Sequence, residues 1–255
     1  MKTKPIVPWM GGKRRLVSQL IEKMPEHQCY VELFAGGAAL FFMREQPSKV
    51  EIINDVNGEL VNLYRVVQHH LEEFMRHFKW SLVSRQMFEW LKHASTDLMT
   101  DIQRAARFYY LQHLAFGAKV SGQTFGTRTS GRPINFLRIE EQLSEAHLRL
   151  SGVTVEHLSW DDCLIKYDRP ETFFYADPPY WGLAGYGLDF GWDQYERMSE
   201  LMGSCKSKIM LSINNHSDIR DLFADFNIST AKIKYSVGKV GASRDEKQEL
   251  IITNY

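Results

Sequence analysis

Short apolar runs alternate with amphipathic stretches at both ends of the chain, and this rhythm breaks in the middle. The runs Cys29-Tyr30-Val31-Glu32-Leu33-Phe34 and Thr172-Phe173-Phe174-Tyr175-Ala176 are rich in aromatic and β-branched residues. Each stops at glycine or proline, as buried strands do. Residues 50–54, 153–158, 208–214 and 250–254 carry the same signal. Amphipathic stretches at 14–23, 58–80, 195–204 and 217–223 predict helices between the strands, and residues 40–43 add a short apolar helical run. Strands alternating with helices predict an open α/β sheet.

Residues 71–149 depart from that pattern. Helices are predicted at 71–78, 84–93 and 101–114, a glycine-rich loop spans 116–132, and a helix at 139–149 returns the chain to the sheet. A loop this long is usually functional or disordered. The predicted organisation is a discontinuous α/β unit, residues 1–65 and 150–255, interrupted by an insertion at 66–149.

Composition narrows the class. The 255 residues suffice for one large domain, or one domain carrying an insertion. Hydrophobic content of 44% and charged content of 24% argue against a disordered or fibrous chain. The formal net charge is zero, so a nucleic-acid partner would need a local basic face. Cys29, Cys163 and Cys205 are widely separated; they give neither a disulfide framework nor a zinc pattern, and a reducing cytoplasm fits them best. His69 and His70 are adjacent on a helix and face apart, so no metal site is expected. No apolar run approaches the roughly 20 residues of a membrane span. No apolar segment follows the basic N-terminus, so no signal peptide is expected.

Two corners carry candidate chemistry. In Phe34-Ala35-Gly36-Gly37-Ala38 the glycines let backbone approach a ligand at the carboxyl end of a strand, where open α/β sheets bind ligands. Asp55 ends the next strand about 20 residues later, the spacing at which a carboxylate meets ribose hydroxyls. It could equally cap the helix starting near Gly58. The full dinucleotide fingerprint is absent, so a mononucleoside such as S-adenosylmethionine fits better than NAD.

The second corner is Asp177-Pro178-Pro179-Tyr180. Two prolines stiffen the backbone and hold its carbonyls in place. A carboxylate beside a fixed carbonyl forms a pair of acceptors suited to the two hydrogens of an amine. Tyr180 offers a face for a heterocycle, worth about 1–3 kcal/mol in base stacking. Positioning and stabilisation of positive charge on nitrogen would supply the catalysis. The plain alternative is a strand followed by a capped Pro-Pro turn.

The chain resembles the Dam-like DNA adenine-N6 methyltransferases, the D12 class or alpha group. Five segments carry the resemblance: Pro8-Trp9-Met10-Gly11-Gly12-Lys13, Phe34-Ala35-Gly36-Gly37-Ala38, Asn54-Asp55-Val56-Asn57, Phe174-Tyr175-Ala176-Asp177-Pro178-Pro179-Tyr180 and Glu249-Leu250-Ile251-Ile252-Thr253-Asn254-Tyr255. It implies a Rossmann-like S-adenosylmethionine-dependent methyltransferase sheet with a helical, loop-rich target-recognition insertion. It further implies that Trp9, Lys13, Phe34, Gly36, Asp55 and Asp177 bind S-adenosylmethionine, with Asp177, Pro178, Pro179 and Tyr180 catalytic. Ser159 and Trp160 fall where the family contacts the cofactor adenine; Trp160 could equally be a core aromatic. The last glycine of the first motif is Ala38 here, a small change that should leave room for the cofactor.

The expected reaction is transfer of a methyl group to N6 of adenine in DNA after base flipping. Partners implied are double-stranded DNA and a cognate restriction enzyme; no membrane is expected, a monomer is favoured, and the setting is a bacterial cytoplasm, with the gene cellular or phage-borne. Between residues 104 and 149 the basic residues are Arg104, Arg107, Lys119, Arg128, Arg132, Arg138 and Arg149, and Lys119, Gln123, Arg128 and Arg132 are the candidates to meet DNA. Phe116 or Gln123 could fill the gap left by a flipped base. Trp181-Gly182 and Tyr186-Gly187 suggest a lid. GATC-specific members carry an Arg-Tyr-Asn-like stretch where this chain has residues 115–126, so that specificity is not carried over. Rival readings are an N4-cytosine methyltransferase and a catalytically inactive DNA-binding module; a protein glutamine methyltransferase would use Asn in place of Asp177.

Overall fold

All five residues of the run Thr172–Ala176 are buried, which places this strand at the centre of a sheet covered on both faces. The computed structural model describes residues 3–127, 134, 138–182, 190–233 and 247–255. Its strands are β1 (Cys29–Glu32), β2 (Val50–Asn54), β3 (Thr154–Glu156), β4 (Thr172–Ala176), β5 (Lys208–Asn214), β6 (Asn227–Ile233) and β7 (Lys247–Thr253). They form one sheet in the order β3-β2-β1-β4-β5-β7-β6. Every pairing is parallel except those of β7, which runs antiparallel to β5 and β6. The expected Rossmann-like α/β sheet is therefore present.

Side chains alternate between two cores. Tyr30, Phe173, Tyr175, Met210 and Ile251 face one of them. There they meet α1 (Val17–Glu22), α2 (Ala39–Met43), α3 (Gly58–His69), α4 (Leu71–Arg76), α5 (Arg85–His93), α6 (Asp101–Leu114) and α7 (Ile139–Leu150). Val31, Phe174, Ile209, Leu211 and Ile252 face the other, against α8 (Trp160–Tyr167), α9 (Trp192–Ser204) and α10 (Ser217–Leu222). The helices after α3 thus share a core with one face of the sheet. Among the described residues no helix is long and apolar enough to cross a membrane.

Local chemistry explains the helix starts. Thr100 and Gln103 form a reciprocal capping box that fixes α6. Asn57, not Asp55, caps α3, accepting from the amides of Glu59 and Leu60 at 3.1 and 3.2 Å. The helical stretch predicted over 58–80 is divided at His70, whose φ of −134° and ψ of 37° are not helical, and α4 begins at Leu71, where a helix over 71–78 is also predicted. Two elements have no counterpart in the sequence reading. The strand β6 is Asn-Ile-Ser-Thr-Ala-Lys-Ile, an edge strand held by its ladder to β7 rather than by an apolar run. The helix α8 is only eight residues long and starts at the Ser159 cap.

A buried ionic cluster clasps the returning helix to the sheet. Arg149 of α7 donates to Glu51 of β2 at 2.5 and 2.9 Å and to the carbonyl of Phe41 at 3.0 Å. Arg44, at the end of α2, donates to the same Glu51 carboxylate. Each guanidinium also lies over an aromatic ring, Arg149 over Phe41 at 3.7 Å and Arg44 over Tyr30 at 4.0 Å. Removing the shared anion would leave two buried cations uncompensated. Glu51→Ala is therefore expected to lower unfolding free energy by about 3–5 kcal/mol, read from urea denaturation; a loss below about 1 kcal/mol, the size of a surface pair, would contradict this account.

Candidate active site

The carboxyl ends of β1, β2 and β4 open onto a cavity of about 470 Å³. Trp9, Lys13, Phe34, Gly36, Asp55, Ser159, Trp160, Asp177 and Pro179 all line it. Residues spread over most of the chain thus meet at one place. Pro178 is buried behind them, and Tyr180 stands beside the cavity under Lys13.

Lys13 comes from the turn before α1 and is almost wholly buried, at 4% exposure. Its Nζ lies 2.5 Å from Asp177 Oδ1, 3.2 Å from the carbonyl of Gly11 and 4.0 Å from Glu249 Oε2. It also sits 4.7 Å from the centre of the Tyr180 ring. Ser212 donates to Asp177 Oδ1 at 3.3 Å, and its hydroxyl is bonded to that of Tyr175 at 2.8 Å. Among the described residues both side-chain bonds to Asp177 end on Oδ1, which leaves Oδ2 for another donor. Burial pushes the Asp177 carboxyl above the usual range, against the opposing pull of Lys13 and Ser212. The carbonyl of Pro179 is taken by the Tyr195 hydroxyl at 2.5 Å.

The glycine corner is shaped around Trp9. A Cβ on Gly36 would lie 2.6 Å from Trp9 Nε1, and the residue's φ of +48° itself favours glycine. The Gly36 amide donates to Asp55 Oδ2 at 2.8 Å, and the Asn57 amide donates to Asp55 Oδ1 at 2.8 Å. Burial raises the Asp55 carboxyl and these two donors lower it. Asn54 knits the rim together: its amide donates to the carbonyls of Leu33 and Leu158 at 3.0 and 3.2 Å and accepts from the Leu158 amide at 2.9 Å. Ala38 occupies the left-handed region with φ +48° and ψ +46° at the start of α2.

Ser159 caps α8 and bonds Asp161 at 2.6 Å. Trp160 is a core residue that also shows an edge to the cavity, stacked on Phe34 at 6.3 Å with its Nε1 donating to Gln194.

The structure also brings to the cavity residues given no role by sequence reasoning. Glu32, in the middle of an apolar run, is 1% exposed and lines it. It accepts from the Tyr30 hydroxyl at 2.7 Å and the Phe41 amide at 2.6 Å, and burial pushes its carboxyl up to about 7. Val120 and Ser121 reach the cavity from the loop after α6. Gln112 anchors that loop, donating to the carbonyls of Pro8 and Ala118 at 3.0 and 2.8 Å.

The loop corrects part of the charge reading. Gln123 is buried, and its amide donates to Gln112 and to the Lys119 carbonyl at 3.1 and 2.9 Å; it braces the loop from inside rather than facing outward. Arg104 pairs with Glu59, Arg138 with Glu141 and Arg149 with Glu51, while Arg107 donates to the carbonyls of Leu91 and Lys92. Arg104, Arg107 and Arg149 are therefore engaged within the fold, whereas the Arg138–Glu141 pair lies exposed at the surface. Lys119 is exposed, as is Phe116 at 63%. Arg128, Arg132, Tyr186 and Gly187 lie outside the described residues. Trp181 donates through Nε1 to Asp218 at 2.9 Å.

A sequence model of the family described as D12 class N6 adenine-specific DNA methyltransferase matches residues 9–237. The chain belongs to that family. The methyltransferase is 28% identical to the type II methyltransferase M1.LlaDCHI of Lactococcus lactis subsp. cremoris, over 99% of this chain and 95% of the relative. It is 27% identical to the type II methyltransferase M.CviBI of Paramecium bursaria Chlorella virus NC1A, over 99% and 100%. It is 24% identical to the DNA adenine methylase of Haemophilus influenzae, over 98% and 93%. The reaction class is accordingly methylation of adenine N6 in DNA, and the N4-cytosine and inactive-module readings are not favoured.

Two substitutions probe the energetics of this methyltransferase's cavity. Ala38→Gly relieves a left-handed alanine and is expected to raise stability by about 1 kcal/mol in urea denaturation. Glu32 titrates above its ordinary value, so folding favours its neutral form. That contribution is complete below about pH 4.5 and is lost as pH rises through about 7. Glu32→Gln should therefore match wild-type stability near pH 4.5 and exceed it at pH 8 by on the order of 2–3 kcal/mol; a constant difference across that range would contradict the assignment.

Proposed function

We propose that the cavity holds S-adenosylmethionine and presents it to an adenine flipped out of double-stranded DNA onto Tyr180. The observation that carries this reading is the assembly of Trp9, Lys13, Gly36, Asp55 and Asp177 around one cavity. Asp55 and Asp177 line it with Glu32, whose carboxyl is pushed up to about 7, against the ammonium of Lys13. That balance suits a ligand bearing a sulfonium and an ammonium. Gly36, where a Cβ would collide with the indole, lets Trp9 pack against the backbone and form a cavity wall suited to a nucleoside. Asp55 would meet the ribose hydroxyls, Lys13 the ligand carboxylate, Asp177 and Trp9 the methionine portion, and Phe34 with Trp160 and Ser159 the adenine end.

When bound, S-adenosylmethionine supplies an electron-poor methyl group, so no strong base is required of the protein. Asp177 Oδ2 and the Pro178 carbonyl would accept the two hydrogens of the target amine. Two fixed acceptors turn the nitrogen lone pair out of conjugation and stabilise the positive charge that grows there. The proline pair keeps both acceptors from relaxing, which is how positioning enters the rate. Tyr180 would carry the base on its ring face.

Residues 66–149 serve in this reading as the target-recognition insertion. Lys119, with Arg128 and Arg132 of the same loop, would contact phosphates. Exposed Phe116 would fill the gap left by the flipped base, a role that buried Gln123 cannot take. The loop is tied to the segment carrying Trp9 through Gln112, so one brace holds both the DNA-facing and cofactor-facing surfaces.

Incubation with labelled S-adenosylmethionine and unmethylated genomic DNA, followed by nucleoside analysis, tests the reading. N6-methyladenine is the expected product, and label in N4-methylcytosine or in no base would overturn it. Asp177→Ala is expected to lower turnover at least a thousandfold, or about 4 kcal/mol of barrier, while the protein still melts cooperatively.

A further inference from the structure

We infer that Glu249 is a positioning residue, whose task is to fix the Tyr180 ring by holding its hydroxyl. The inference rests on the reading of Tyr180 as the platform for the target base. Glu249 lies on β7 directly opposite Asn214 of β5 and is 2% exposed. The residues that follow it along the strand, Leu250, Ile251 and Ile252, are all buried and apolar. An ionised group in such a strand is costly, and an apolar side chain of similar volume would stabilise the sheet at least as well. The carboxylate instead accepts the Tyr180 hydroxyl through Oε1, while Lys13 Nζ, 4.0 Å from Oε2, offsets part of its charge.

The consequence for Tyr180 is geometric. Pro179 restrains the backbone at one end of the side chain and Glu249 holds the phenol at the other. A ring fixed at both ends cannot swing about its first two torsions. It keeps one face under the Lys13 ammonium, 4.7 Å from the ring centre. A base laid on this ring therefore meets Asp177 at a set height. Without the hydroxyl contact, the ring and any base stacked on it would sample angles at which the amine misses its acceptors.

The test uses the full-length protein with Tyr180→Phe, Glu249→Leu, Glu249→Gln and the Phe/Leu double variant. Measured are kcat and KM on unmethylated DNA, the Kd for S-adenosylmethionine by calorimetry, and thermal melting. Tyr180→Phe and Glu249→Leu should each lower kcat about tenfold with Kd within twofold of wild type. The double variant should fall no further than the worse single one. Glu249→Gln, which keeps an acceptor oxygen, should recover most of the loss. Multiplying losses in the double variant would overturn the inference. If Glu249→Leu does not fold, Tyr180→Phe decides alone: wild-type kcat there overturns it, and a tenfold loss at unchanged Kd supports it. A wild-type protein that modifies no adenine would defeat the underlying reading instead, so the two failures are distinguishable.

Discussion

The buried ammonium of Lys13 is the contact on which the rest of the site depends. It links the N-terminal turn to the end of β4 across 164 residues of sequence, and reaches the closing strand as well. Without it, Asp177 and Glu249 would be two carboxylates buried near each other, and their repulsion would push protons onto one of them. With it, the carboxyl end of β4 and the amino end of β7 can approach closely enough for Tyr180 to bond Glu249 while Asp177 faces the cavity. A lysine head group of three donors is suited to this task, since it can bond Asp177 and the Gly11 carbonyl at once.

Much of the architecture is legible in the amino-acid sequence, because a buried parallel sheet writes itself as short apolar runs. The strands β1, β2, β4 and β5 stand where those runs lie, and the helix Asp101–Leu114 has the predicted bounds. The site is legible for a related reason: residues that hold a ligand at strand ends must interrupt the runs with Gly, Asp or Pro. The edge strand β6 leaves no such trace, since its order comes from a ladder to β7 and not from its own side chains. Glu32 and Glu249 leave a signal of a different kind. Each is a buried carboxyl beside an apolar run, and such a group is tolerated only where the fold provides partners. That anomaly, taken as a functional mark, points to both.

Charge counting along the insertion is less reliable than motif spacing. Seven basic residues between 104 and 149 suggest a strongly positive surface, yet Arg104, Arg107 and Arg149 have partners within the fold, and Arg138 pairs with exposed Glu141. Sequence does not distinguish an arginine aimed at solvent from one closing a helix against its neighbour, because both carry the same formal charge. Gln123 makes the same point for a neutral side chain: its amide is spent on Gln112 and a carbonyl four residues back. Exposed in the described part of the loop are Phe116 and Lys119, together with Gly117, Ser121, Gly122, Thr124 and Thr127.

The Arg149–Glu51 clasp has a consequence for how such a chain can diversify. The two residues are 98 apart, and everything between them hangs from that closure. The entropy of closing a loop grows only with the logarithm of its length, so doubling the intervening segment would cost about 0.6 kcal/mol. A clasp built on two arginines and a buried carboxylate tolerates that penalty readily. The helical excursion from α4 to α6 could therefore lengthen or shorten at little entropic cost while Glu51 and Arg149 keep its return pinned to the sheet.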